Sequence, residues 1–346
     1  MAKLPPCSEY VSIMETPALL KATILKNGHV IKQSDTVVRY VGGFCVVFPY
    51  QTTTSKHAIR CWHANIANAQ ERSRKISDML RDKHLPYFVN FDYIPEGVVS
   101  SEGIQPVVVM DWVEAKPLKG YIAMHLHESN TLRHLAEEFK KMVQDLHAHE
   151  LSHGDLQHGN MLVKDNGKII LVDYDSMYVP TLSGFRDEIK GLEGYQHEAR
   201  WANRELTPKA DYFSELVIYT SLIALSKCPR LWHERNIENT ETLLFTGEDI
   251  KSKGTSEIFR ILDQDNELAV LSRALQQAMQ CRSIEELSPL EEVIHSPIES
   301  IGEKRKVKSP KAENIPPDTN NIQEKWNKPP LPSIEIYNIE SITKKW

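Results

Sequence analysis

Residues 151–180 read LSHGDLQHGNMLVKDNGKIILVDYDSMYVP, and they constrain the fold more than any other stretch of the chain. Two short apolar runs, NMLV and KIILV, are joined by KDNGK, where Asn166-Gly167 is a strong hairpin signal. On the loops at the two ends sit His153, Asp155, Asn160, Asp173 and Asp175. Packing alone gives no reason to gather three acids, an amide and a histidine there. The alternatives are a phosphate-and-metal site or a set of polar turn residues, the usual place of Asp and Asn in loops.

The text on either side differs in kind. From Val30 to Val109 it is strand-rich, with TVVRYVGGFCVVFPY, KHAIRCW and PVVVMDWV separated by Gly, Ser, Thr and Pro. One helix interrupts it at 64–82, with Ile66, Ala69, Ile76, Met79 and Leu80 at mostly helical spacing. After Pro117 an amphipathic helix carries Leu132, Leu135, Phe139, Met142, Val143 and Leu146 on one face. Residues 176–208 show no period and read as one long functional loop. Helical text resumes at Asp211 and runs to about Glu286; the apolar run 212–225 is too short and too polar to span a bilayer and reads as a buried core helix. Residues 1–28 read as irregular.

A chain of 346 residues is about twice the usual domain size, so two lobes are expected. The formal net charge of −6 gives no global attraction to nucleic acid or to an anionic membrane, and neither is expected as a partner. The first twenty residues lack the pattern of a secretory signal. Cys7, Cys45, Cys61, Cys228 and Cys281 are far apart and form no CxxC pair, which argues against a disulfide framework and suits a reducing cytoplasm. From Pro297 the text turns rich in Lys, Pro and Asn, as in a mostly disordered tail. There KRKVKSPK with Ser309 is a docking, nucleic-acid or phosphorylation segment or a solvated linker, and KPPLPS a polyproline ligand or the same linker. Trp326 and Trp346 are candidates for docking on the large lobe or on a partner.

HGDLQHGN followed by VDYD resembles the catalytic and metal-binding loops of the protein kinase superfamily, H-x-D-x-x-x-x-N and then a D-x-G-like triplet after a strand. The resemblance covers about residues 30–285 and takes the form of a bacterial-type Ser/Thr kinase-like chain with H-G-D in place of the arginine-containing loop. It implies an α+β, bilobal fold: an N-terminal extension at 1–29, a small antiparallel sheet lobe with one helix at 30–112, a larger mainly helical lobe at 113–290 and a disordered tail at 291–346. The implied cofactors are ATP and Mg²⁺. Asp155 would orient the attacking hydroxyl and take its proton, His153 would prop the loop, and Asn160 and Asp173 would hold the metal. Asp175 stands where the family has a flexible glycine, as a further metal ligand or a hydrogen-bonded turn residue.

In the small lobe, Gly42, Gly43 and Phe44 stand where the glycine-rich loop covers the phosphates, with Tyr40 and Cys45 in place of two of its glycines. Arg60, in AIR, replaces the lysine that holds the α- and β-phosphates, and Glu71 in the following helix is the expected ion-pair partner. Met110 would be the gatekeeper, with the backbone from Asp111 to Val113 against the adenine edge. DYFSEL at 211–216 resembles the start of the family's buried central helix. GYQHEAR at 194–200 lies where the activation segment ends, with Glu198 paired to Arg282 in the family's manner. Gly154 in place of Arg leaves no arginine pocket for a phosphorylated loop, and Gln157 replaces a phosphate-contacting lysine whose charge His158 or Arg60 would supply.

Three functions follow from these residues. The first is an ATP- and Mg²⁺-dependent protein kinase acting on Ser or Thr, with a protein substrate and the tail as a site for a partner. The others are a small-molecule kinase of the aminoglycoside or choline phosphotransferase type, and a nucleotide-binding pseudokinase acting as an interaction module. The 38 residues from Asp173 to Asp211 match the scale of a protein-kinase activation segment and favour the first.

Overall fold

The computed structural model describes residues 3–65 and 68–295. Alternation along the strands of the small lobe decides where its site faces. A curled antiparallel sheet takes the order β1 (Gly28–Val30), β5 (Cys45–Thr52), β6 (Lys56–Trp62), β8 (Gly103–Asp111), β7 (Phe91–Ser100), and β4 (Tyr40–Val41) also pairs with β5. A two-residue hairpin, β2 (Lys32–Gln33) with β3 (Thr36–Val37), interrupts the edge. Successive side chains of a strand point to opposite faces. Ile59, Cys61, Val107 and Val109 therefore pack into one cluster with Val46 and Phe48. Trp62, Val108 and Met110 pack into the other, on the side of the large lobe. Arg60 shares the parity of Trp62, and its register partner in β8 is Val108.

The first cluster corrects the reading of residues 1–28 as irregular. Helix α1 (Cys7–Met14) buries Tyr10, Ile13 and Met14 against the sheet, and the Tyr10 hydroxyl donates to Trp62 O at 3.0 Å. The spacing 10, 13, 14 is helical, but two turns opened by a proline are too short a run for periodicity to register. Burying each of the three side chains stabilises the lobe by about 2 kcal/mol. Helix α2 (Ala69–Lys83) covers the other face through Ile76 and Leu80. It starts near the expected place, although Ile66 and residue 67 lie outside the described residues.

The large lobe forms around α4 (Ser129–Ala148) and α5 (Tyr212–Lys227), reached from the sheet through α3 (Leu118–Met124). The stripe expected on α4 is buried from Leu132 to Leu146. Helix α5 is buried from Phe213 to Ser226, as its apolar text requires. Asn166-Gly167 closes the expected hairpin between β10 (Met161–Val163) and β11 (Ile169–Leu171), and β9 (Lys116–Pro117) pairs with β10 on its other side. Residues 176–208 hold 3₁₀ turns at Pro180–Leu182 and Glu198–Ala202 and antiparallel bridges from Tyr178 to Ser152 and from Arg186 to Glu205. Among the described residues no helix is long and apolar enough to cross a membrane. The expected tail lies outside the described residues, with Ser309, Trp326 and Trp346, except that 291–295 complete a short helix, Leu290–His295.

His147 ties three helices together. Its Nε2 lies 2.9 Å from Glu215 Oε1 in α5, and its Nδ1 lies 3.0 Å from Glu291 in the last helix. Burial alone would lower the histidine, but the two carboxylates outweigh it and raise it from 6.5 to about 9. Burial pushes Glu215 up from 4.5 to about 7, against the pull of His147. Both folded-state values are raised, so the folded chain binds more protons than the unfolded one through this range. The stability from His147 is complete below 6.5 and lost as pH rises through about 9. Denaturant unfolding between pH 6 and 9 is therefore expected to show stability falling by on the order of 2–3 kcal/mol, with His147→Gln flattening the upper half of the slope. A stability that rises over that range would refute the assignment.

Candidate phosphoryl-transfer site

The loop after α4 is set by α5. At the N-terminus of that helix the Asp211 carboxylate accepts the backbone amides of His153 and Gly154, the latter at 3.1 Å to each oxygen. His153 Nε2 lies 2.9 Å from Val172 O, which ties this loop to the end of β11. Gly154 has φ +77°, and a Cβ there would stand 2.1 Å from Ser176 O. An arginine cannot occupy that position, so the departure noted in the sequence is a steric requirement.

Asp155 is thereby presented beside Asn160, whose Nδ2 donates to Asp155 O at 2.8 Å and to its Oδ2 at 3.0 Å. Gln157 Nε2 lies 3.4 and 3.3 Å from the two carboxylate oxygens. Burial, together with the nearby Asp173 charge, pushes the Asp155 carboxyl above the usual carboxylate range, opposed by His153, Gln157 and Asn160. His158 Nδ1 lies 2.8 Å from the Tyr195 hydroxyl.

After β11 the chain turns sharply at Asp173, which has φ +65°. Arg60 reaches across from β6 and donates from Nη2 to Asp173 Oδ1 at 3.0 Å and to Asp175 Oδ2. Asp173 remains half exposed, whereas the Asp175 side chain is 12% exposed. Burial raises the Asp175 carboxyl, with Arg60 pulling the other way. Cys45 Sγ approaches the same oxygen at 3.9 Å, and burial pushes this thiol up, so Cys45 is a packed thiol and not a nucleophile.

The upper wall and the linker between lobes complete the cleft. Gly42 N donates to Cys45 O at 2.8 Å, making a tight turn of Gly42, Gly43 and Phe44. A Cβ on Gly43 would meet nothing within 4 Å and one on Gly42 only Cys45 O at 3.6 Å, so packing does not demand glycine at either position. Met110 lies buried on the Arg60 side of the sheet. The Asp111 side chain points away to Asn90 Nδ2, 2.6 Å distant, and Trp112 N donates to Lys56 O. Val113 has no backbone partner among the described residues, which leaves its amide and carbonyl for an outside group.

Residues 68–189, from just before α2 to just past the acidic loop, match the family model of the ABC1 atypical kinase-like domain. The fold is protein-kinase-like. No curated protein matches it.

Two pairings expected of this kinase-like chain are replaced by others. Glu71 does not reach Arg60; it lies 3.1 Å from Lys75 on the outer side of α2, while Arg60 takes Asp173 and Asp175. Glu198 does not pair with Arg282; it meets Lys253 at 3.0 Å on the surface. The buried pair of the activation segment is Asp187 with Arg200, at 3.1 Å from Nε and 3.2 Å from Nη2. Gly191 then packs on the Asp155 loop, where its Cβ would stand 2.6 Å from Asp155 Oδ1. Reading from sequence also missed Arg72, although a charge four residues before Ile76 on the buried face of a helix was a usable signal.

Among the described residues no group of three His, Cys, Asp or Glu side chains is arranged to hold a metal ion. The donors that suit Mg²⁺ are hard oxygens: the half-exposed Asp173 carboxylate and the Oδ1 of Asn160, whose Nδ2 is already committed to Asp155. Asp175 fits this role poorly, since it is buried and bonded to Arg60.

Proposed function

We propose that this chain transfers the γ-phosphoryl group of ATP to a hydroxyl, in the manner of a protein Ser/Thr kinase. The observation that carries the reading is the convergence of Asp155, Asn160 and Asp173 beneath the cationic strand residue Arg60. Bound Mg²⁺ would supply charge neutralisation at the phosphates. Asp155 takes the proton of the acceptor hydroxyl, and burial, by raising its carboxyl, makes it a better base than an exposed aspartate. Asn160 and Asp173 hold the metal by oxygen, and Gly42 and Gly43 admit the phosphates close to the backbone. The free amide and carbonyl of Val113, beside Met110 and Asp111, suit an adenine edge. An ordered segment from Asp173 to Asp211, held by its own Asp187–Arg200 pair, suits a polypeptide acceptor and needs no phosphorylated residue to set it. The five cysteines are free thiols, which suits a reducing cytoplasm.

A second reading is a nucleotide-binding module without turnover, favoured by the grip of Arg60 on both Asp173 and Asp175 and by Gln157 in place of a lysine. Incubation with γ-labelled ATP and Mg²⁺, with and without a generic protein substrate, separates the two. Label on serine or threonine is the expected result. ATP consumed only with a small metabolite would replace the acceptor. Mg²⁺-dependent ATP binding with no consumption under any condition would establish the module.

A further inference from the structure

The kinase pattern gives the strand cation Arg60 a helix partner in Glu71 and makes Asp175 a metal ligand or a turn residue. The geometry points to a third arrangement: we propose that Asp175 is the positioning residue for Arg60, and that Arg72 fixes Asp175 in turn. The inference rests on the phosphoryl-transfer reading only for what the positioned Arg60 then binds.

Arg60 is 5% exposed, and a buried guanidinium requires a counter-carboxylate. Two carboxylates reach it, and they differ in environment. The Asp175 side chain is 12% exposed and its oxygen is occupied by Arg60; the Asp173 side chain is 49% exposed. The buried one is the standing counter-ion, and the exposed one can exchange Arg60 for a metal. The main chain of Asp175 is held independently, because Arg72 Nη2 donates to Asp175 O at 2.7 Å while Nη1 donates to Arg186 O at 3.0 Å. Arg72 is 3% exposed; its guanidinium donates to these two carbonyls, with the Asp175, Glu188 and Asp187 charges nearby to offset its burial. A step of one residue turns a helix by about 100°. Arg72 therefore lies on the buried face with Ile76 and Leu80, and Glu71 turns outward to Lys75. Helix α2 is coupled to the site through an arginine on backbone carbonyls, and the carboxylate for the strand cation comes from the acidic loop itself.

The test uses the full chain, a non-hydrolysable ATP analogue and Mn²⁺, read by calorimetry and by the paramagnetic resonance of free Mn²⁺. Asp175→Asn is expected to weaken the analogue about tenfold, as Arg60→Met does, with Arg60→Met/Asp175→Asn no weaker than the worse single variant. The double variant also removes both buried charges together, which protects folding. In Asp175→Asn the Mn²⁺ midpoint should stay within about twofold of wild type, whereas Asp173→Asn should lose the Mn²⁺ dependence. Glu71→Gln should match wild type. A midpoint displaced in Asp175→Asn as far as in Asp173→Asn would make Asp175 a ligand and overturn the proposal. Glu71→Gln behaving as Arg60→Met would overturn it too. If wild type binds no analogue, the phosphoryl-transfer reading fails, and thermal unfolding alone judges the pairing. Stability losses of Arg60→Met and Asp175→Asn that are less than additive in the double variant then sustain it, and additive losses refute it.

Discussion

Asp155→Asn is expected to reduce phosphoryl transfer by about 10²–10⁴-fold while leaving Mg²⁺-dependent nucleotide binding and the unfolding temperature near wild type. The amide keeps the shape of the side chain and retains an oxygen for the Asn160 Nδ2 that now bonds Asp155 at 3.0 Å. What it removes is the basic oxygen for the acceptor proton. Asp155 also stands apart from Arg60, so its loss leaves the cation grip on Asp173 and Asp175 untouched. A single-turnover assay at saturating Mg²⁺ and ATP isolates the chemical step from binding. The acid limb of the wild-type rate should fall above the ordinary carboxylate range, because burial raises the Asp155 carboxyl. A variant with unchanged single-turnover rate would remove Asp155 from the chemistry, and a variant that loses nucleotide binding as well would show that its role is to hold the site together.

The parts of this site that could be read from sequence are those whose geometry is local. His153, Asp155 and Asn160 fall on one loop, and Asp173 follows across a hairpin that Asn166-Gly167 announces, so spacing alone brings them together. The elements were legible where periodicity had room to repeat, as in the stripe of α4 and the all-round apolar α5. It failed at α1, where two turns give too few repeats. Pairing of charges was the least legible. Arg60 meets carboxylates 113 and 115 positions away, and which of them wins depends on burial and on the carbonyls that Arg72 holds. Position in a family pattern pointed to Glu71, one residue and about 100° of helix away from the side chain that faces the site. Asp187 and Arg200 are only 13 residues apart, but they lie in a segment without period, where nothing in the sequence says which charges turn inward.

That segment carries the largest expected effect on stability. Asp187→Asn is expected to cost about 4–5 kcal/mol and Arg200→Met about 3 kcal/mol, an order set by what each change leaves behind. Both side chains are 1% exposed. Without Arg200, Asp187 still has Lys190 at 3.1 Å. Without the Asp187 charge, Arg200 keeps only neutral acceptors, the substituted amide oxygen with Gln196 Oε1 at 2.6 Å and Ile189 O at 3.3 Å, and a buried guanidinium is left without a counter-charge. The double variant Asp187→Asn/Arg200→Met removes both buried charges and should cost less than the sum of the single changes. Denaturant unfolding measures all three, as midpoint shifts at constant slope. The consequence reaches the site because Arg200 also bonds Gln196 and Ile189 O, and Gly191, between them in the chain, packs against Asp155 and Gln196. Arg200→Met should accordingly lower the transfer rate at temperatures well below its unfolding midpoint. If Arg200→Met proved the costlier single change, or the two losses simply added, the segment would be held by its backbone turns and not by this ion pair.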